Sequence, residues 1–510
     1  MHIAIEGMDG VGKTSQAKAI ARRLGGEFIA KSFHEMADTK KEYDNFITIH
    51  EYTNNEIKGK YGLRRNYYLK KIRNENVVTD RFYVSNFWLR SERLSLEYFQ
   101  RISEVWGIPD IIIILYAKSE VLYSRIFERN PNDKDLCKIK MADEGYKLMF
   151  EFVKKMNFTA LVVDTSDLEF EKTSDIIMYA IDEGMEKCKE KYSGLCYIIK
   201  PQLEVVDTGQ GKLFLTPKGE LVQCESIGEE IRIPENVCGI RERAFSNSRF
   251  LKRIILPKTV ITISDYAFDE SSVSEIYIAH DNPIYSASGN FLYNKDKTVI
   301  LKFLGKNQKE VYVSEGTSVI GNTAFAKCKT IERIILPRSI KQIKYGAFID
   351  CSKLNSLKLY SNQIETIEAG AFIGCMQLTD IDFEEAYHYF IEDSCIKNRK
   401  GDILYYFGQY EKGVLYQIPK CSHIFPYAFQ GRLRADKIII DDTTVKVGSF
   451  AFECCDINKI EIRGNLAEIG ENSFGKSGIK EATIFTKIVP EIWKNSFCIY
   501  RPDRAHCTAF

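Results

Sequence analysis

Two rhythms of apolar residues divide the chain. In the first, short apolar runs alternate with stretches whose apolar positions recur every three to four residues. Ile3-Ala-Ile5 reads as a buried strand, and Ser15 to Leu24 as a helix with Ala17, Ile20, Ala21 and Leu24 on one face. Glu27 to Phe33 follows as a strand, then a polar helical stretch to about Lys71. Asn76 to Ser85 reads as the next strand, and Pro109 to Tyr116 as a near-continuous apolar one. An uninterrupted run of that kind suits a strand covered on both faces of a parallel sheet. A helix is expected over Ser119–Glu128, a polar loop over Asn130–Asp135, a helix over Met141–Met156, a strand over Ala160–Asp164 and a closing amphipathic helix over Glu169–Lys191. Alternation of this kind predicts an α/β domain, a parallel sheet with helices on both faces.

From about Gly211 the rhythm changes. Ala-Phe recurs at Phe245, Phe268, Phe325, Phe348, Phe372, Phe429 and Phe452, and Ser-Phe at Phe474 and Phe497. The steps are 22 to 24 residues, except for two of 57. Each unit carries a strand such as Leu251–Pro257 or Ile331–Pro337, a second apolar stretch such as Val260–Ile263, and then the Ala-Phe. A fixed period in the low twenties predicts a β-rich solenoid, because one unit cannot bury its apolar face alone. The longer steps hold inserted segments, Gly289–Ile300 and Gly401–Tyr406, that read as β-hairpins, with Gly211–Gly219 as a third copy. The expected limits are a first domain over 1–192, a linker and first hairpin over 193–224, repeats over 225–500 and a tail over 501–510.

Composition narrows the partners. At 510 residues more than one domain is expected. Lys plus Arg number 71 against 70 Asp plus Glu, so no overall field points to nucleic acid or a membrane. The longest aliphatic run, Ile108–Leu115, is too short to span a bilayer, and the first strand leaves no room before it for a signal peptide. The 14 cysteines are scattered, with no C-x-x-C pair, which favours reduced thiols in a cytoplasmic protein over a disulfide scaffold or zinc site. Cys328, Cys351, Cys375 and Cys455 each stand three residues after a repeat phenylalanine, where Ser271 and Ser477 stand in other copies. They read as small residues of a turn. Arg432, Arg434 and Lys437 read as a solvated face.

Candidate chemistry starts at Glu6–Gln16. Gly7 and Gly12 bracket four residues and Lys13-Thr14 follow, the G-x-x-x-x-G-K-[ST] spelling of a phosphate loop. Glycines let backbone N–H groups of Gly10, Val11, Gly12 and Ser15 turn toward phosphate oxygens; Lys13 neutralises the β/γ-phosphates, and the Thr14 hydroxyl holds Mg²⁺. Asp80-Arg81 falls at the C-terminal end of a strand, the edge where open α/β sheets bind ligands. An aspartate there can serve a cation and an arginine can clamp phosphate. Arg125 and Arg129 stand one turn apart on one helix face.

Ile5-Glu-Gly-x-Asp-Gly-x-Gly-Lys-Thr-x-Gln16, Asp80-Arg-Phe with Ser85, Pro109-Asp-Ile-Ile, Arg125 with Arg129, and Val163-Asp164 together resemble the thymidylate kinase family across residues 1 to 170. The resemblance implies ATP and Mg²⁺ as cofactors and transfer of a phosphoryl group to a deoxynucleoside monophosphate, dTMP first. It implies that Asp9 contacts the acceptor's sugar, Arg81 its phosphate, Asp80 the Mg²⁺ site, and Arg125 and Arg129 the ATP. Arg64, within Tyr61–Arg65, is the candidate second phosphate-binding arginine. The stretch after Ser85 lacks the family's base-reading Tyr-Gln, the segment Lys31–His34 lacks its proline, and the lid Asn130–Lys140 has no evident catalytic arginine. Two alternatives therefore stay open: an interaction protein whose nucleotide-binding domain is degenerate or regulatory, and a deoxynucleoside kinase, against which Asp9 argues. The second half resembles leucine-rich repeats of the BspA-like class through Ile-x-Leu-Pro, Ala-Phe and the cysteine three residues on. That resemblance implies a protein partner for the array; a homodimer through the first domain is also consistent with the family. Catalysis is expected to survive removal of residues 211–510.

Overall fold

The computed structural model describes residues 1–29, 76–80, 82–85, 96, 99, 103, 108–201, 203–305, 307–360, 363–383, 387–408, 415–464, 466–486, 490–492 and 496. Arg64 and Arg81, the segments Lys31–His34 and Asn86–Arg90, Phe497 and the tail 501–510 lie outside them. The described residues form two compact units, one of 1–227 with 236–249 and 262–271, the other of 228–235, 250–261 and 272–510.

In the first unit the strands β1 (His2–Gly7), β2 (Glu27–Ile29), β3 (Val77–Asp80), β4 (Ile111–Tyr116), β5 (Ala160–Asp164) and β6 (Cys196–Ile199) make one sheet in the order β2-β3-β1-β4-β5-β6. The first five run parallel, in register His2 with Val77, Ile3 with Ile111 and Ile112 with Ala160. All six β1 residues are buried, as a central strand covered by helices requires. The helices are α1 (Lys13–Arg23), α2 (Ser119–Arg129), α3 (Ala142–Lys155), α4 (Phe170–Glu183) and α5 (Met185–Lys191). Their apolar stripes, Ala17, Ile20 and Ala21 on α1 and Tyr146, Met149, Phe152 and Val153 on α3, close the core. Gln16 ties α1 to α4, donating to the Phe170 carbonyl at 2.8 Å and accepting from Ser174 Oγ at 2.6 Å.

Three expectations change here. The strand expected to reach Ser85 ends at Asp80, because the next backbone N–H groups turn inward to a buried carboxylate and leave the ladder. The closing helix breaks at Gly184, whose φ of 94° no helix accommodates. The sheet also continues beyond residue 192 into β6, which pairs antiparallel with β5. Of that edge strand Cys196 and Ile199 are buried, and its run Leu195–Ile199 is apolar throughout, a signal the sequence expectation left unused. Among the described residues no helix is long and apolar enough to cross a membrane.

The repeats stack as short parallel strands: in the second unit Glu310–Tyr312, Arg333–Leu336, Ser356–Leu359 and Asp380–Phe383 pair in sequence. The repeat phenylalanines form a ladder of parallel rings, Phe348 on Phe372 at 5.5 Å and 4°, Phe452 on Phe474 at 5.1 Å and 6°. The inserted segments contain the expected hairpins, each extended by one more antiparallel strand into a three-stranded meander over Tyr285–Phe303 and Tyr389–Tyr406, and Glu204–Ser226 in the first unit repeats the form. They carry the ladder onward: Phe303 stacks on Phe325 at 5.2 Å, Tyr405 packs on Phe372 at 5.0 Å, and Tyr406 stacks on Phe429 at 4.9 Å. The turn cysteines are free thiols, and Cys351, Cys375 and Cys455 donate to the carbonyls of Phe325, Phe348 and Phe429, one repeat back.

Arg432 corrects another reading. It is buried, not part of a solvated face: its guanidinium donates to the Leu378 carbonyl at 3.0 Å and to that of Cys375, and lies 5.1 Å from the Tyr405 ring. The arginine thereby staples the repeat before the second insert to the repeat after it. Arg432→Ala is expected to cost the array about 1–3 kcal/mol, the penalty for stranding buried carbonyls, read as a lower urea midpoint.

Candidate active site

The loop between β1 and α1 depends on glycine in two different ways. Gly7, Gly10 and Gly12 take φ values of 135°, 84° and 89°, in the region that disfavours side chains. A Cβ on Gly7 would sit 2.4 Å from the Leu115 carbonyl oxygen, and one on Gly10 2.7 Å from Ile126 Cγ1. One on Gly12 would meet nothing within 4 Å, so that glycine faces open space. Val11 is buried beneath the loop, whereas Gly12, Thr14 and Ser15 are exposed at its mouth.

Lys13 opens α1 and folds back under the loop. Its Nζ donates to the Met8 carbonyl at 2.5 Å and stands 3.7 Å from Asp9 Oδ1. Burial pushes the amine down to about 8, against the carboxylates of Asp80, Glu6 and Asp135, which raise it. Thr14 Oγ1 donates to Asp80 Oδ2 at 2.5 Å, so a hydroxyl and a carboxylate 66 residues apart converge at the C-terminal ends of β1 and β3. Thus Gly7, Asp9, Gly10, Val11, Gly12, Lys13, Thr14, Ser15 and Asp80 lie together at one end of the sheet.

Arg125 and Arg129 share a helix face but not a partner. Arg125 donates to the Thr165 carbonyl at 2.5 Å and to Thr165 Oγ1 at 3.2 Å, just past the end of β5. Arg129 pairs with Asp133 at 2.6 Å on the surface, at the start of the segment expected as a lid. That segment contains a 3₁₀ helix over Lys134–Met141.

Glu6 escaped the sequence reading. It is fully buried at the end of β1, and its two oxygens accept from Phe82 N at 3.0 Å, Val84 N at 3.0 Å, Ser85 N at 3.1 Å and Ser85 Oγ at 2.5 Å. Ser85 Oγ in turn accepts from Gly7 N at 3.0 Å. Burial raises the Glu6 carboxyl while those donors lower it. The group therefore welds the loop after Asp80 to the phosphate loop. A signal was present: one acid directly follows the apolar run Ile3-Ala-Ile5 in a strand with no exposed face. Tyr146 was also missed; its hydroxyl donates to the Leu115 carbonyl at 3.1 Å and accepts from Ala117 N at 3.3 Å, fixing the end of β4.

The donor set suits a polyphosphate with a divalent cation: oxygen ligands from Thr14 and Asp80 beside an ammonium, under a backbone cradle open at Gly12. Comparison with known proteins agrees. Residues 5–176 match the thymidylate kinase family model, and residues 222–302, 300–412 and 414–500 match the BspA type leucine rich repeat region in six copies. A probable thymidylate kinase of Methanococcus maripaludis strain S2 is 27% identical over 195 residues, covering 35% of this chain and 94% of that protein. Cytidylate kinase 2 of Borreliella afzelii is 26% identical over 193 residues, covering 36% of this chain and 97% of that protein. A leucine rich cell surface protein of Faecalibacterium prausnitzii covers 58% of this chain and 86% of its own, at 19% identity and a TM-score of 0.39. Residues 5–176 are thus similar to the thymidylate kinases, and through residues 222–500 the chain belongs to the BspA type leucine-rich repeat proteins.

Proposed function

We propose that the N-terminal domain transfers the γ-phosphoryl group of ATP to a deoxynucleoside monophosphate, dTMP first, giving ADP and the diphosphate. The observation that carries this reading is the Thr14–Asp80 contact beside the buried Lys13. In it, Lys13 leaves the Met8 carbonyl for the β- and γ-phosphates, and the N–H groups of Gly10, Val11, Gly12 and Ser15 face phosphate oxygens at the helix N-terminus. Thr14 and Asp80 would hold Mg²⁺, which would neutralise charge on the phosphates. Arg125, anchored on Thr165, and Arg129 flank the ATP; Asp9 meets the acceptor's sugar, and Arg81 with Arg64 its phosphate. No covalent chemistry falls to the protein, so positioning and charge do the work. The domain acts in the cytoplasm, as a monomer or as a homodimer, and the array offers its extended surface to a protein partner.

The two kinds of curated relative, named for thymidylate and cytidylate, set the test. Coupled ADP release by the full chain is measured with dTMP, dUMP, dCMP, CMP and thymidine. We expect dTMP to be fastest and a chelator of Mg²⁺ to stop the reaction. Thymidine outpacing every monophosphate would make it a deoxynucleoside kinase. Nucleotide binding without turnover on any acceptor would favour the regulatory reading.

A further inference from the structure

Within the first unit, the segment 236–249 from the first repeat meets the end of the sheet opposite the phosphate loop. Three consecutive charged residues, Arg241-Glu242-Arg243, make the contact. Arg243 pairs with Asp110 Oδ1, whose other oxygen accepts from His2 N at 2.6 Å, so one carboxylate gathers the starts of β1 and β4 and the repeat. Glu242 accepts from Ile108 N at 2.9 Å and is 8% exposed. Arg241 donates to the Met156 carbonyl at 3.1 Å, placing a cation on the C-terminal cap of α3, and is itself held by Glu220 at 2.7 Å.

The triplet is peculiar to this copy. The residue two before the repeat phenylalanine has a positive φ in most copies: Thr323, Gly346, Gly370, Tyr427, Phe450 and Asn472 share it, and Arg243 keeps it at 53°. The three positions read Gly-Asn-Thr at 321–323, Glu-Ala-Gly at 368–370 and Gly-Glu-Asn at 470–472. Only the side chains have changed in the first copy, from a neutral or singly charged turn to three charges that each find a partner on the kinase-like core.

We propose that segment 236–249 is a fixed part of the phosphotransferase domain: the Arg241–Arg243 triplet clamps the N-terminal ends of β1 and β4 and the end of α3, so that this segment and the nucleotide site open and close as one cooperative unit. On this proposal, removing residues 211–510 takes away the clamp, whereas the sequence alone predicts that catalysis survives the removal. A cut at residue 211 removes Glu220, Arg241, Glu242 and Arg243, and leaves Asp110 and the Ile108 N–H without these partners.

Native-state hydrogen exchange on the full chain tests this in two ways. Small additions of urea should release amides of 1–24 and 236–249 along one common opening in the native chain. In Arg241→Ala/Arg243→Ala, 236–249 should open earlier and separately. This arm does not depend on the proposed function. In the second arm, which does, Mg²⁺·ATP at about 100 times its Kd should slow exchange of both segments about 100-fold in the native chain, but only 1–24 in the variant. If the double variant does not fold, Asp110→Asn, which keeps an acceptor for His2 N, takes its place. Independent opening of the two segments in the native chain, or joint opening in the variant, overturns the proposal. Failure of ATP to protect 1–24 would count against the nucleotide site alone.

Discussion

Lys13→Ala is expected to lower phosphoryl transfer by roughly 10²–10³-fold, the loss that follows removal of one preorganised charge or donor from a transition state. The side chain is 4% exposed, and its amine has one close carbonyl partner, Met8 O, plus the more distant Asp9. It is thus placed where an arriving phosphate replaces a neutral carbonyl acceptor with an anionic one. The truncation leaves the apolar packing of α1 on β1 intact, since Ala17, Ile20 and Ala21 make it. Rate should fall with little change in thermal midpoint. Equal losses of both would mean that Lys13 is structural and that the charge at the phosphates comes from elsewhere.

Glu6→Gln should damage stability and rate together. The carboxylate accepts from three backbone N–H groups and one hydroxyl, and an amide offers one acceptor oxygen fewer and two donors that face other donors. Stranding even one buried N–H costs about 1–3 kcal/mol. These hydrogen bonds tie the loop that follows Asp80 to the end of β1, so the Thr14–Asp80 contact should loosen and turnover should drop. Urea denaturation and steady-state kinetics read the two effects. Native stability with native turnover in Glu6→Gln would show that the four hydrogen bonds do not govern the site.

The difference between these two residues shows what a sequence displays. Lys13 belongs to a local spelling in which loop, cation and hydroxyl are neighbours in the chain, so the chemistry was readable at once. Glu6 finds its partners 76 to 79 residues away, and nothing in Phe82, Val84 or Ser85 announces that their N–H groups leave a strand. Asp80 was legible because a strand's end carries position by itself, and Thr14 met it as expected. In the array, period and phenylalanine ladder were legible because one contact repeats. The burial of Arg432 and the docking of Arg241–Arg243 were not, because both depend on partners far away in the chain that no repeat announces, Cys375, Leu378 and Tyr405 for the one and Ile108, Asp110 and Met156 for the other. Gly184 was hidden inside a continuous amphipathic pattern and broke it through backbone conformation alone.

The central claim is that the site around Lys13, Thr14 and Asp80 moves a phosphoryl group from a nucleoside triphosphate to a nucleoside monophosphate. Its most direct measurement follows label from γ-³²P-ATP into product with the full chain, dTMP and Mg²⁺, beside the Lys13→Ala chain. Labelled dTDP is expected from the native protein, and at least roughly 10²-fold less from the variant. Label passing only to water, or product formed equally by both proteins, would contradict it.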